Sequence, residues 1–422
     1  MGDIGPALTV TISGFFLNAF LLDVAGLRPG LAAVIFLIVK IWDSLNDPII
    51  GTLTDRTRTR WGRRRPWLLF GAVPFGLAWL MQWQVPELSD AGLFFYYLVA
   101  ALLLDTAMTA VNVPYTALTP EIAPGYDERT NLNTFRFSFS ILGGMIALLA
   151  HNLILSGSDD VAGAYAVSAA IMAVVIVVSN WITFASVKET YHSEERRKEP
   201  GFLEGFRIAF RNRPFLMVTA IYLLSWLAIQ FVQANSLLYI RYWMRADEQF
   251  AILALALQLA IFASLILWSK VSERIGKRKV YFVGAALWIG MMILLYFVQP
   301  GQMGLLIGLA VLAGAGASVT YLVPWSMLPD VVDLDELRTG LRREGVYYGF
   351  FVFLQKLGIS LGLAFSNLVF EISGYLQDPQ PGAPFPDQPG PVLLALRLFT
   401  SFVPVVIVLL SLPIVYKYPI TR

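Results

Sequence analysis

The sequence predicts an all-α membrane protein with twelve transmembrane helices arranged as two six-helix pseudo-repeats. Three observations carry that prediction. Of the 422 residues, 57% are hydrophobic and only 14% charged, against roughly 25% charged in an average soluble domain. The apolar residues fall into runs of about 20, the number that crosses ~30 Å of hydrocarbon at 1.5 Å per residue. Lys and Arg concentrate in the joints between alternate runs. A soluble globule is therefore excluded. The runs also lack the strict alternation of membrane strands, which excludes a β-barrel.

With proline, glycine and charge as punctuation, the spans start near residues 4, 31, 66, 91, 129, 161, 214, 248, 279, 301, 345 and 389. The first lacks a basic leader segment and a small-residue cleavage site, so it reads as a retained span. The second is followed by Arg56 to Arg65, the sixth by Lys188 to Arg213, the eighth by Lys270 to Lys279 and the tenth by Arg338 to Arg343. The positive-inside rule places these four joints in the cytoplasm. The joints after the third, fifth and ninth spans, Pro86 to Asp90, Ser156 to Asp160 and Gln299 to Gln302, hold almost no Lys or Arg and belong outside. Both termini are then cytoplasmic. The longest charged stretch, 188–213, reads as a linker between an N-terminal bundle, 1–187, and a C-terminal bundle, 214–422. Its amphipathic stretch 201–210 is expected to lie on the membrane surface as a helix.

The two halves repeat each other. Gly51-x-x-x-Asp55-Arg56 and then Gly62-Arg63-Arg64 follow the second span, and Glu273-Arg274-Ile275-Gly276-Lys277-Arg278 follows the eighth. Val113-Pro-Tyr-Thr-Ala-Leu-Thr-Pro-Glu121 on the fourth span recurs half a chain length later as Val323-Pro-Trp-Ser-Met-Leu-Pro-Asp330 on the tenth. Parallel six-helix repeats of this kind are the architecture of major facilitator transporters, whose halves rock about a midplane site.

Several chemistries are excluded at once. There are no cysteines and only two histidines, His151 and His192, far apart in sequence. Disulfides, thiol catalysis and a zinc site are therefore absent. The net charge is +2 and the bases are not spread over a face that tracks nucleic acid. A lipid-modifying enzyme would need a nucleophile and base pair, or a metal cluster, at the membrane surface, and the sequence shows neither. A receptor or scramblase on the same scaffold would differ by moving lipid without a gradient.

Carboxylates and amines must then carry the function. Lys40, Asp43 and Asp47 lie at i, i+3 and i+7 along one face of the second span. Measured from Asp55 at its cytoplasmic end, Asp43 is ~18 Å deep and Asp47 ~12 Å deep. Such groups cost at least a few kcal/mol each unless they pair, line water or bind an ion. One reading is a Lys40–Asp43 ion pair with Asp47 capping a helix before Pro48. The other is a small-cation site, since two carboxylates one turn apart offer hard oxygen ligands. The fourth span adds Asp105, Thr109 and Asn112 as a polar stripe. Arg136 on the fifth span and Lys356 on the eleventh bring positive charge into apolar surroundings, and Trp325 on the tenth adds an aromatic surface. A cytoplasmic gate is expected at Asp55 and Arg56 and at their repeat, Glu273 and Arg274, with Glu121 and Asp330 able to accept the arginines.

The run Lys40-Ile-Trp-Asp43-Ser-Leu-Asn46-Asp47-Pro48-Ile-Ile-Gly51, followed by Arg60-Trp-Gly-Arg-Arg-Arg-Pro66-Trp67, resembles the glycoside–pentoside–hexuronide:cation symporters, the melibiose carrier family within the major facilitator superfamily. The likeness continues at Asn112-Val-Pro-Tyr115, Asp127-Glu-Arg129, Arg136, Asp330-Val-Val-Asp333, Arg343-Glu-Gly and Gln355-Lys356-Leu-Gly358. The resemblance implies that Asp43, Asp47 and Thr109 hold the coupling cation, and that Arg136, Trp325 and Lys356 lie near the sugar pocket. The melibiose carrier's Lys-Asp pair on the first span falls at Pro6-Ala7 here, and its fourth-span aspartate at Asn112. Vertebrate sodium-dependent lysophosphatidylcholine symporters are similar as well, through Leu21-Leu-Asp-Val-Ala25 and the two Val-Pro motifs.

The expectation is a secondary active symporter in a bacterial inner (plasma) membrane, working as a monomer without a cofactor beyond its coupling cation, sodium or proton. Its substrate is a glycoside-like solute held by Asp105, Asn112, Arg136, Trp325 and Lys356. The alternative is a lysolipid, which needs one charged head site and a greasy lateral cleft.

Overall fold

A computed structural model describes residues 2–122, 126–187, 202–340, 343–377 and 385–419. Among these residues the secondary structure is helical, apart from one isolated bridge between Thr59 and Gly62. The chain divides into two compact units. Unit 1 comprises Met1–Glu194 with Tyr375–Asp387, and unit 2 comprises Glu195–Gly374 with Gln388–Arg422.

Unit 1 holds α1 (Ile4–Ile12), α2 (Pro29–Arg56), α3 (Arg65–Gln82), α4 (Asp90–Ile122), α5 (Tyr126–Ser156) and α6 (Val161–Ser186). Unit 2 holds α7 (Phe202–Arg211), α8 (Arg213–Leu238), α9 (Phe250–Ile275), α10 (Lys277–Tyr296), α11 (Met303–Thr339), α12 (Glu344–Ile372), α13 (Gly390–Phe399) and α14 (Phe402–Lys417). Among the described residues, nine stretches, from Asp90–Leu118 to Gly390–Lys417, are long and apolar enough to cross a membrane. The other three spans are α1 with its π-helical extension, the charged α2, and α3. Side chains set several boundaries. Pro29 and Pro66 sit in the first turns of α2 and α3, where a missing N–H costs nothing. Asp160 and Asn212 cap α6 and α8 through Gly163 N and Phe215 N, at 2.9 and 3.1 Å.

The helix pairing repeats between the units. In unit 1, α3 packs on α4 and α6, α2 on α4, and α1 on α5 and α6. In unit 2 the corresponding spans pair alike: α10 on α11 and α14, α9 on α11, and α8 on α12 and α14. The sequence repeat is thus a repeat of packing. The core of unit 1 is aromatic, with Phe20 against Trp83, Tyr97 and Tyr165, and Trp83 stacked on Tyr165 at 5.6 Å. In unit 2, Tyr222 stacks on Phe351 at 4.0 Å, and the Tyr281 hydroxyl joins Ser225 and Ser411 at 3.0 and 2.7 Å.

The structure adds two details. The amphipathic α7 forms as expected and packs on α12 and α8: Ala209 is buried and Phe210 meets Phe350 edge-on. The segment Tyr375–Asp387, which follows α12 in sequence, groups with unit 1. Most of the charged linker, 188–201, and the Asp127-Glu-Arg129 motif's side chains lie outside the described residues.

Candidate functional site

The i, i+3, i+7 spacing on α2 delivers its three charges to one place. Lys40 Nζ donates to Asp43 Oδ2 at 3.1 Å, and Asp43 is 2% exposed. Across the helix boundary, Thr109 Oγ1 on α4 donates to Asp47 Oδ1 at 3.3 Å, and Thr109 is itself buried. A second polar bridge, Trp42 Nε1 to Thr106 Oγ1 at 2.8 Å, holds the same two helices in register. α2 continues through Pro48 to Arg56, so Asp47 is not a helix cap, and that expectation is overturned. Pro48 brings no N–H, which leaves the Ser44 carbonyl without its intrahelical donor. Two carboxylates, a hydroxyl and a backbone carbonyl therefore lie within two helical turns. Lys40, Asp43 and Asp47 together carry a formal charge of −1, and a monovalent cation would neutralise it. Among the described residues no group of three or more His, Cys, Asp or Glu gathers as a metal cluster.

The remaining sites are distributed between the units. In unit 1, Arg136 on α5 makes a two-point ion pair with Asp3: Nε to Oδ2 at 2.8 Å and Nη2 to Oδ1 at 3.2 Å. Its guanidinium also lies 4.9 Å from the Tyr115 ring centre on α4. The pair is largely sheltered, with 19% and 13% of the two side chains exposed. Asp105 and Asn112 are half-buried on α4, on the helix that carries Thr109. In unit 2, Trp325 donates Nε1 to Tyr222 Oη at 2.9 Å and stands over Phe351 and Tyr348, yet is still 40% exposed. Lys356 is half-buried on α12.

At the basic joints the repeat has a mechanical counterpart. Arg64, before α3, donates to the Ala117 carbonyl on α4. Lys277, at the start of α10, donates to the Ser326 carbonyl on α11 at 2.6 Å and to Asp330 Oδ2 at 2.7 Å. Ala117 and Ser326 each stand one residue after a carbonyl, of Thr116 and Trp325, that loses its intrahelical donor to a proline, Pro120 and Pro329. The partner of Asp330 shown here is thus Lys277, where an arginine was expected. Arg56, Glu273 and Arg274 are exposed, and the side chains of Asp55 and Glu121 lie outside the described residues.

Sequence reasoning missed the partners. Asp3, Tyr115 and Tyr222 each complete a contact with a residue already singled out, and Thr106 ties the helix of Asp43 and Asp47 to that of Thr109 through Trp42. Asp3, the acid nearest the first span, and Tyr115, inside the repeated Val-Pro motif, were the two of them with a sequence signal. Also missed were π-helical turns at Ser13–Leu17 and Phe20–Val24 in the first span and at Tyr239–Met244 in the seventh, distortions that cluster at functional sites. The buried Asp23 in one of these turns accepts the Tyr375 hydroxyl.

The profile of the family described as MFS/sugar transport protein matches residues 1–422. The chain is 38% identical to an uncharacterized symporter of Synechocystis sp., over 100% of this chain and 93% of that one. It is 31% identical to the sodium-dependent lysophosphatidylcholine symporter 1-A of Danio rerio, over 98% and 83%. In three dimensions it is similar to the nucleoside transporter NupG, with a TM-score of 0.70 at 15% identity, covering 98% of each chain; at that identity the likeness speaks for the fold alone.

Proposed function

The chain belongs to the MFS/sugar transport protein family, and from that premise we propose a cation-coupled secondary active symporter of a glycoside-like solute. The observation that carries the coupling is the group on α2 and α4, where the buried Asp43 pairs with Lys40 and the half-buried Asp47, one turn on, accepts from the buried Thr109. A sodium ion or a proton bound there would meet the carboxylate oxygens that α2 supplies one turn apart. Coupling follows if the transition between access states is costly with one ligand bound and permitted with both or neither. We assign substrate contacts to Asp105, Asn112 and Arg136 in unit 1 and to Trp325 and Lys356 in unit 2. Arg136 and Trp325 are already oriented by Asp3 and Tyr222, so they arrive pre-organised. Asp55, Arg56, Glu121, Glu273, Arg274 and Asp330 are assigned to the gate, on the basis of the repeated basic joints and the Lys277 clamp.

The further assignments are a bacterial inner membrane, both termini in the cytoplasm, two bundles at 1–187 and 214–422 joined by 188–213, and action as a monomer. Relatives of this chain are named as transporters, which supports a role other than catalysis.

A second reading, a lysophospholipid symporter, is favoured by one observation: a relative 31% identical over 98% of this chain carries that name. The deciding experiment is uptake by cells expressing the chain. Cells are offered a labelled glycoside panel and labelled lysophosphatidylcholine, with and without sodium or proton gradients, with Asp43→Asn as control. Gradient-driven glycoside uptake abolished by Asp43→Asn supports the first reading, and lysolipid uptake alone supports the second. Gradient-driven uptake that survives Asp43→Asn refutes the cation site.

A further inference from the structure

Within unit 1, α2 and α3 are consecutive in sequence, yet each packs on α4 and they make little contact with each other. The gap is a groove of 860 Å³, within the range of about 300 to 1,000 Å³ typical of ligand sites. Its floor is made of small residues, Gly71, Ala78, Ala107 and Ala110, and its walls of large apolar ones. Gly71 is what lets the floor form, because a Cβ there would stand 3.0 Å from Val111 Cγ2. Phe70 and Leu77 on the α3 rim are 63% and 57% exposed, so the groove opens along the lipid-facing side.

The lining makes few polar demands. Thr106 is satisfied within the protein, donating to Leu102 O at 2.7 Å and accepting from Trp42. Trp67 Nε1 donates to Thr57 Oγ1 at 3.0 Å. A sugar or any other polyhydroxylated solute would be desolvated there without compensation. Along α3 the groove runs from Trp67 to Met81, ~21 Å at 1.5 Å per residue, which exceeds the ~15 Å of hydrocarbon in one leaflet. One end of the groove is chemically distinct. Thr57 and Thr59 line it, and the exposed Arg58 and Arg60 flank them, with Arg60 held 4.4 Å over the Trp61 ring.

We infer that this groove seats an acyl chain of an anionic glycerophospholipid from the leaflet facing the Arg-rich joint, with the phosphate at Arg58 and Arg60. An apolar slot longer than one leaflet, lined at one end by Thr57 and Thr59 with the exposed Arg58 and Arg60 beside them in sequence, matches that molecule in both parts, since cationic side chains at the membrane surface attract anionic headgroups. The bound lipid fills space that α2 and α3 leave open, so it is a resident ligand rather than cargo, whichever solute the protein carries.

The test uses the full chain in vesicles of phosphatidylethanolamine and phosphatidylglycerol. A trace of phosphatidylglycerol carries a photoreactive diazirine on its acyl chain, and the labelled peptides are mapped after illumination. Labelling is expected on 67–81 and 103–110, and Ala107→Phe, which fills the floor, should reduce it at least fivefold. Val174→Phe, on the exposed face of α6, should leave it unchanged. Arg58→Gln with Arg60→Gln alters only exposed side chains and should lower the preference for phosphatidylglycerol over phosphatidylcholine about tenfold. Labelling spread evenly over the lipid-facing helices overturns the inference, as does insensitivity to Ala107→Phe in a variant that retains its wild-type melting temperature. Loss of the label on adding a transported solute would make the lipid cargo and would equally overturn it.

Discussion

If the α2 group works by charge balance, two substitutions of adjacent side chains must act in opposite directions. Asp43→Asn takes the formal charge of Lys40, Asp43 and Asp47 from −1 to 0. Lys40→Gln takes it to −2. The two side chains are in contact at 3.1 Å, with 29% of Lys40 and 3% of Asp43 exposed, so an effective dielectric of about 20 applies. A carboxylate ~4 Å from a bound monovalent cation then contributes about 4 kcal/mol. Asp43→Asn should accordingly weaken cation binding by about three orders of magnitude. Lys40→Gln removes a repulsive charge ~7 Å away, worth about 2 kcal/mol, and should tighten binding by up to about 30-fold. Both values are upper bounds, because the residue left behind loses a hydrogen bond. The assay is a sodium titration of each purified variant in nanodiscs by calorimetry, repeated as a proton-release measurement in case the coupling ion is a proton. Melting temperatures identify any variant that fails to fold. Shifts of the same sign, or wild-type affinity in Asp43→Asn, would refute the charge-balance argument.

Three further outcomes are expected. Asp3→Asn should lower thermal stability by about 1–3 kcal/mol, since it leaves the sheltered Arg136 without its carboxylate; a double-mutant cycle with Arg136→Gln showing no coupling would contradict the pair. His151 Nδ1 meets Ser168 Oγ at 2.7 Å inside a ring of Phe16, Trp83 and Tyr165. Ser168→Ala alone should therefore lower the melting temperature, while His151→Phe with Ser168→Ala should restore it to wild type or above, because replacing both polar partners removes the desolvation cost; a double variant less stable than the single one would oppose this. A Cβ on Gly316 would lie 2.6 Å from Trp288 N and 2.8 Å from Gly284 O. Gly316→Ala should thus cost about 1–3 kcal/mol by forcing α10 and α11 apart, whereas Gly304→Ala on the same helix meets nothing within 4 Å and should gain up to about 1 kcal/mol from helix propensity. Equal melting shifts for the two would show that the close approach of the helices is not what limits position 316.

Much of this protein follows from chain-local rules. The membrane's thickness requires apolar runs of about 20 residues, so the spans could be counted, and the basic joints could be read for orientation. Lys40, Asp43 and Asp47 could be placed on one face because 100° per residue operates inside a single helix. The doubled Val-Pro motif predicted a repeat that the helix pairing bears out. Contacts between helices were a different matter. Spans surrounded by apolar neighbours on every side carry no strong sequence signal of which face meets which partner, so the rotation and depth of each helix are settled only by packing. Packing brought Thr109 to Asp47 and Asp3 to Arg136, set α7 against α12 and α8, and grouped Tyr375–Asp387 with unit 1. Packing also left the space between α2 and α3 open above a floor of small residues. Within a helix, geometry is set by covalent structure and hydrogen bonds that any sequence of that length shares. Between helices it is set by the shapes of side chains distant in sequence, and those meet only in the folded chain.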